Sequence, residues 1–101
     1  MENTATLKVR FNFPNEPIDE KLVSVRAWKA LAMVGIRDTD TLIEKYPELL
    51  TMYMRNFGKT SFSRVTAYLV DRQVEYIAKS KGLSREEAEL CFLADLAEAN
   101  A

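Results

Sequence analysis

The chain has 101 residues, 48% of them apolar and 29% charged, with a net charge of −1. That is the makeup of one ordinary globular domain able to bury a core without staples. The absence of histidine and the presence of one cysteine, Cys91, exclude a disulfide framework, a zinc site and the commonest general base.

The expectation is therefore a chain with no cofactor and no metal. Its acids are scattered along helix-like segments as a solvated surface, so it is read as no enzyme. No run of about 18 apolar residues and no basic-then-apolar leader is found, which predicts a cytoplasmic chain with no membrane span.

In chain order, Leu7, Val9, Phe11 and Phe13 alternate with Lys8, Arg10 and Asn12. This period of two predicts a strand over residues 6–13. A lone strand either runs extended over the helices or pairs through its open edge with another copy, making a homo-oligomer. Pro14 and Pro17 end it and form a short linker.

Ser24 then caps a helix predicted from Val25 to Val34, with Trp28, Leu31 and Ala32 on one face and Gly35 as its stop. Cap-type residues in "RDTDTLIEKY" start a second helix anchored by Leu42 and Ile43, and Pro47 opens a third, short one. Asn56-Phe57-Gly58 reads as a tight turn, with Phe57 inward and Gly58 at positive φ.

A long helix follows, from about Thr60 to Lys81, with Phe62, Val65, Leu69, Val70, Val74 and Ile77 at helical spacing and Gly82 as its stop. Ser84 to Glu87 is a capping box, and a last helix runs to about Glu98 with Phe92, Leu93 and Leu96 as its apolar stripe. Cys91 falls in that periodicity and is expected to be a buried, inert thiol. The fold class is mostly α: a compact bundle of four to five helices with a helix-hairpin-helix motif, preceded by a short N-terminal β-like extended segment. The expected divisions are residues 1–16, 17–83 and 84–101.

"RNFGKTS" invites comparison with a nucleotide-binding P-loop. That motif needs a glycine five places before Gly58, where Tyr53 stands, and a preceding buried strand that "PELLTMYM" does not supply. The short helix, turn and longer helix instead form a helix-hairpin-helix arrangement. Backbone N–H groups from Gly58 to Ser61 then sit at a helix N-terminus beside the Lys59 ammonium, a setting that favours phosphate and reads no base. The same residues serve equally as a plain helix start, with Lys59 and Ser61 solvated.

Charge is uneven. Residues 21–64 carry eight basic and four acidic side chains, whereas residues 65–101 carry four basic and seven acidic. A locally basic segment around an anion-holding loop is what a nucleic-acid backbone selects.

The runs "PIDEKLVSVRAWKAL", "GIRDTDTLIEKYPELL" and "RNFGKTSFSRVTAYL" occur in that order. Together they resemble the carboxy-terminal domain of the bacterial RNA polymerase alpha subunit, over about residues 17–83. The resemblance implies double-stranded DNA as partner. Arg26 would enter an A/T-rich minor groove while Asn56, Gly58, Lys59 and Ser61 hold the phosphate backbone, as a narrow groove attracts guanidinium.

Lys29 stands where the family usually has an asparagine, Thr60 where it has a second lysine, and Arg64 where it has an acid. These three join the candidate DNA-binding set, whose specificity would differ from the family's. RNA polymerase components or a transcription regulator are the protein partners this implies. A protein-interaction module of the same fold without DNA contact is the alternative, and an accessory piece of a repair or recombination enzyme is a third. The last helix lies beyond the resemblance. It either closes the core or offers a partner face with Glu86, Glu87, Glu89 and Glu98 on its exterior.

Overall fold

The structure is a computed structural model that describes residues 11–49 and 57–99. Among these the chain is mostly helical and no strand is formed: α1 (Glu20–Val23), α2 (Val25–Met33), α3 (Thr39–Lys45), a 3-10 turn (Tyr46–Glu48), α4 (Lys59–Lys81) and α5 (Arg85–Ala99). The chain divides into two units, Pro14–Leu69 and a second made of Met1–Phe13 with Val70–Ala101. The division falls inside α4.

In the unit Pro14–Leu69, the predicted linker is bonded to the start of α3. The Thr39 N–H donates to the Glu16 carbonyl at 2.8 Å, and the Glu16 N–H donates to Thr39 Oγ1 at 2.9 Å. Asn15 Oδ1 accepts from the Asp40 N–H at 2.9 Å and from the Thr39 hydroxyl at 3.3 Å. Ile18 N–H donates to Arg37 O at 3.1 Å, beside an isolated bridge between Pro17 and Asp38. Thr39 is fully buried, so its hydroxyl needs these partners.

Helix α1 has no counterpart in the sequence reading. Its signals are Asp19, whose carboxylate accepts the Lys21 N–H at 2.9 Å, and Glu20 in the first turn. It gives way at Ser24, whose N–H still donates to Glu20 O while its hydroxyl accepts the Ala27 N–H and starts α2.

Helix α2 ends as expected at Gly35, with φ of 85°. Ile36 N–H donates to Leu31 O at 2.9 Å and Gly35 N–H to Ala32 O at 3.0 Å, the paired bonds of a Schellman cap. Its buried face is Ala27, Ala30 and Leu31, not Trp28, Leu31 and Ala32. Trp28 is half-buried, and its indole N–H donates to Ile18 O at 3.1 Å, a rim position that suits a side chain with one polar end.

Asp38 caps α3 by accepting the Thr41 N–H at 3.0 Å. The third predicted helix is a 3-10 turn with Pro47 in its first positions, closed by Leu49 N–H to Tyr46 O at 3.2 Å. Residues 50–56 of that prediction lie outside the described residues. Ile18, Val23, Leu31, Leu42, Leu49, Val65 and Leu69 are among the buried residues of this unit.

The second unit has Val74 and Ile77 of α4 with Ala88 and Phe92 of α5 at its centre, and Phe11, Val70, Ala78, Leu83, Cys91 and Leu96 packed around them. Gly82 takes φ of 64° and lets Leu83 N–H reach Ala78 O at 2.9 Å. The capping box is formed: Ser84 N–H donates to Glu87 Oε1 at 3.0 Å and Glu87 N–H to Ser84 Oγ at 3.2 Å. Arg85 bridges to Asp71 at 2.7 Å and Glu75 at 3.6 Å.

The apolar stripe of α5 departs from expectation. Leu93 is 57% exposed, and Ala88 takes its place beside Phe92 and Leu96. Residues 88, 92 and 96 repeat at i+4 and share one face, whereas position 93 points about a quarter-turn away.

Of the predicted strand, only Phe11 to Phe13 are described, and they form none. Phe11 stacks on Phe92 with ring centres 6.5 Å apart. Asn12, between Phe11 and Phe13 in the chain, forms a two-way pair with the buried Gln73. The Asn12 N–H donates to Oε1 at 2.8 Å, and Gln73 Nε2 donates to Asn12 Oδ1 at 2.7 Å. Pairing with another copy through residues 6–13 falls mostly outside the described residues.

Two outcomes follow from these caps and latches. Thr39→Val keeps the shape and deletes the hydroxyl, leaving the Glu16 N–H without its acceptor. It should destabilise by about 1–3 kcal/mol in urea unfolding, and a loss within error of zero would show that the latch contributes nothing.

The second outcome concerns acid. Hydrogen bonds from the Thr41 hydroxyl and N–H hold the Asp38 carboxyl below its usual value, and those from the Ser84 N–H and hydroxyl do the same for Glu87. Both groups bind protons less tightly folded than unfolded. Their stabilisation is therefore complete above the ordinary carboxylate range and is lost as pH falls through their lowered folded values. Thermal melts from neutral pH down to about pH 3 should show this loss, and Asp38→Asn, which keeps an acceptor without a titration, should flatten part of it.

Candidate nucleic-acid interface

The expected DNA-contacting residues fall on two elements of the unit Pro14–Leu69. Arg26 and Lys29 lie in α2, three residues apart and both exposed, so they are neighbours on one helix surface. Gly58, Lys59 and Thr60 open α4 and are exposed, and Arg64, one turn on, is exposed too. Ser61 is buried, which turns it away from the solvent that Lys59 and Thr60 meet. Asn56 lies outside the described residues, and of the expected turn only Phe57, half-buried, and Gly58 are described.

One local expectation is corrected. Gly58 does not take a positive φ; the glycines that do are Gly35 and Gly82, at the ends of α2 and α4. Gly58 instead serves as the plain start of α4, its carbonyl accepting the Phe62 N–H at 2.9 Å.

The start of α4 is held from one side. The Phe62 ring stacks on Tyr46 at 5.2 Å and 19°. The Tyr46 hydroxyl meets Thr66 Oγ1 at 2.7 Å, and the Thr66 hydroxyl is within 3.0 Å of the Phe62 carbonyl. An aromatic stack and a buried-edge hydrogen bond thus fix the first two turns of α4 to the 3-10 turn, while Lys59, Thr60 and Arg64 remain in water.

The start of α2 carries the one positive φ among the described non-glycine residues, Ser24 at φ 93° and ψ 148°. Only glycine adopts that region without strain. Ser24 holds it because it ends α1 and caps α2 at once, and Arg26 follows two residues later.

The distribution of acids adds a feature that motif matching misses. Helices α1, α3 and α5 each have acid at the start: Asp19 and Glu20, Asp38 and Asp40, Glu86 and Glu87. Helices α2 and α4 have none in their first turns, so the partial positive charge at their N-termini is not offset by their own side chains. Residues 21–37 and 49–70 contain no acid at all, and they hold Lys21, Arg26, Lys29 and Arg37 in one run and Arg55, Lys59 and Arg64 in the other. Lys21 and Arg37, both exposed, belong to this set although no motif named them; the gap in acidic residues was the signal. Among the described residues, none of Arg26, Lys29, Lys59 and Arg64 is in an ion pair.

The second unit offers different chemistry. A cleft of about 550 Å³ is lined by Asn12, Gln73, Tyr76, Lys81, Phe92 and Asp95 among others. Its buried amide, Gln73, is already paired with Asn12. Cys91 is half-buried instead of buried, with the Lys81 ammonium 3.8 Å from its sulfur. Among the described residues no cluster of three acids or thiols is placed to hold a metal, and no helix is long and apolar enough to cross a membrane.

Comparison of the chain with protein-family profiles, with curated proteins and with solved structures returned no match.

The strained cap makes a local prediction. Ser24→Ala removes the oxygen that accepts the Ala27 N–H and keeps the unfavourable φ, so it should cost about 0.5–2 kcal/mol. Ser24→Gly loses the same oxygen and frees the backbone, so in denaturant titrations it should cost clearly less than Ser24→Ala. Equal losses would locate the whole effect in the cap oxygen.

Proposed function

We propose that this chain is a non-catalytic domain that binds duplex DNA in a transcription-related, cytoplasmic setting. Its mode would be that of the polymerase alpha carboxy-terminal domain, which its sequence resembles. The observation that carries this reading is the segregation of charge. Helices α2 and α4 start without acid and present Arg26, Lys29, Lys59 and Arg64 to solvent. Helices α1 and α3 of the same unit carry the carboxylates at their starts.

Two unneutralised helix N-termini with flanking cations favour phosphate oxygens and recognise no base. In this reading Lys59, Thr60 and the N–H groups at the start of α4 hold the backbone, and Arg26 with Lys29 faces the minor groove, where A/T-rich sequence narrows the groove and concentrates negative potential. A second reading, a protein-interaction module of the same fold that binds polymerase or a regulator, is favoured by the exposed Leu90 and Leu93 on α5.

The test is a titration of the whole chain with short A/T-rich and G/C-rich duplexes at several salt concentrations. Three or four neutralised phosphates should give a log–log salt slope of about −3, and a dissociation constant of about 10⁻⁴–10⁻⁶ M is expected for one copy. Arg26→Ala should cost about 1–3 kcal/mol and flatten the A/T preference. Lys59→Ala should weaken all sequences alike and reduce the slope by about one. Mutants that bind like the parent, or a parent that binds no duplex at low salt, would replace this reading with the protein-interaction one.

A further inference from the structure

Helix α5 has two apolar faces. Ala88, Phe92 and Leu96 pack into its own unit. On the opposite side Leu90 is 68% and Leu93 57% exposed, with Ala94 and Ala97 exposed beside them. Positions 90, 93, 94 and 97 follow the i, i+3, i+4, i+7 spacing of a single helix face. Glu86 extends this stripe toward the N-terminus and Glu89 borders it, both exposed. The nearby cation, Arg85, is already bonded to Asp71 and Glu75. The outer face of α5 is apolar and acidic.

The outer face of α2 is its complement. Val25 is 52% and Met33 75% exposed, at i and i+8 along one side, and Arg26 and Lys29 stand exposed between them with no acid from residue 21 to 37. Val25 to Met33 spans about 12 Å of helix and Leu90 to Ala97 about 10 Å, at 1.5 Å per residue, so the two apolar stripes match in length.

We propose that the chain self-associates head to tail, the outer face of α2 in one copy seating on the outer face of α5 in the next. Two α5 faces brought together would offer Glu86 and Glu89 no cation, and two α2 faces would offer Arg26 and Lys29 no acid, so charge favours the mixed pair over either symmetric one. A contact between two different patches leaves one of each open at the ends. Assembly therefore grows with concentration until the rotation between copies closes a ring. Each face is one short helix side, which places the contact at the small end of protein interfaces and makes the association weak and salt-sensitive. The inference stands apart from the DNA reading, with one link: Arg26 and Lys29 serve both, so duplex DNA should compete with self-association.

Sedimentation velocity of the full chain over a concentration series tests it. The parent should show a weight-average mass that rises with concentration at low salt and falls at high salt. Arg26→Glu with Lys29→Glu, and separately Glu86→Lys with Glu89→Lys, should each weaken association by about tenfold or more, as like charges then face each other. Mixing the two variants should restore assembly, because reversed α2 faces then meet reversed α5 faces. Leu90→Ser, which leaves every charge in place, should also weaken it; circular dichroism checks that each variant is folded. The Glu86/Glu89 variant should hold DNA at least as tightly as the parent, since it frees Arg26 and Lys29 and adds positive charge, which separates failure here from failure of the DNA reading. A parent that stays monomeric at every concentration would overturn the proposal and leave the α5 face to a different chain. Association that survives in either charge-reversed variant alone, or a mixture that stays apart, would overturn it too.

Discussion

The stretch from Phe11 to Ile18 enters no helix or strand, yet its backbone groups must still find partners as they pass over buried surface. That constraint organises the chain ahead of its first helix. In one unit Gln73 supplies both an acceptor and a donor to Asn12. In the other, Thr39 and Asn15 exchange bonds with Glu16 and Asp40, which brings the start of α3 to the start of the fold. With Asp38 and Ile18 fixed there, Trp28 finds the Ile18 carbonyl and α2 is laid in place above it. Buried polar side chains thus act here as substitutes for a sheet neighbour.

Helix starts tell a second part of the account. A helix needs acceptors for its first N–H groups, and a carboxylate satisfies them while offsetting the dipole. Helices α1 and α3 use that solution, and α5 combines the Ser84 hydroxyl as acceptor with the Glu87 carboxylate. Helix α2 uses the neutral Ser24, at the expense of an unfavourable φ, and α4 opens at Gly58 with Lys59 following. The two helices whose first turns lack acid also carry Arg26, Lys29, Lys59 and Arg64, none of them in an ion pair among the described residues.

The outer surfaces of α2 and α5 extend the same segregation of charge. One is apolar with cations and the other apolar with acids, so each is suited to the other and neither to itself. Arg26 and Lys29 therefore stand where two polyanionic surfaces, a DNA backbone and an acidic helix, would contend for them. If both proposals hold, such contention would link the amount of assembly to the amount of available DNA through mass action, with no conformational change required.

What the sequence determined by itself was local. The caps at Ser24 and Ser84, the cap-type run that starts α3, the stops at Gly35 and Gly82 and the extent of α4 were legible because capping and helix termination depend on residues within a turn of one another. The candidate cations were legible too, since a charged side chain reaches solvent from almost any helix. Which face of each helix is buried was decided by tertiary structure. Trp28 gave way to Ala27 and Ala30 in α2, and Leu93 to Ala88 in α5, because small side chains let helices approach while hydrophobic character alone does not choose a side. The end of the alternating segment was decided there as well. Alternation marks Phe11 and Phe13 as inward-facing, but a strand needs a neighbour, and at these residues the helical core and the amide of Gln73 took that place.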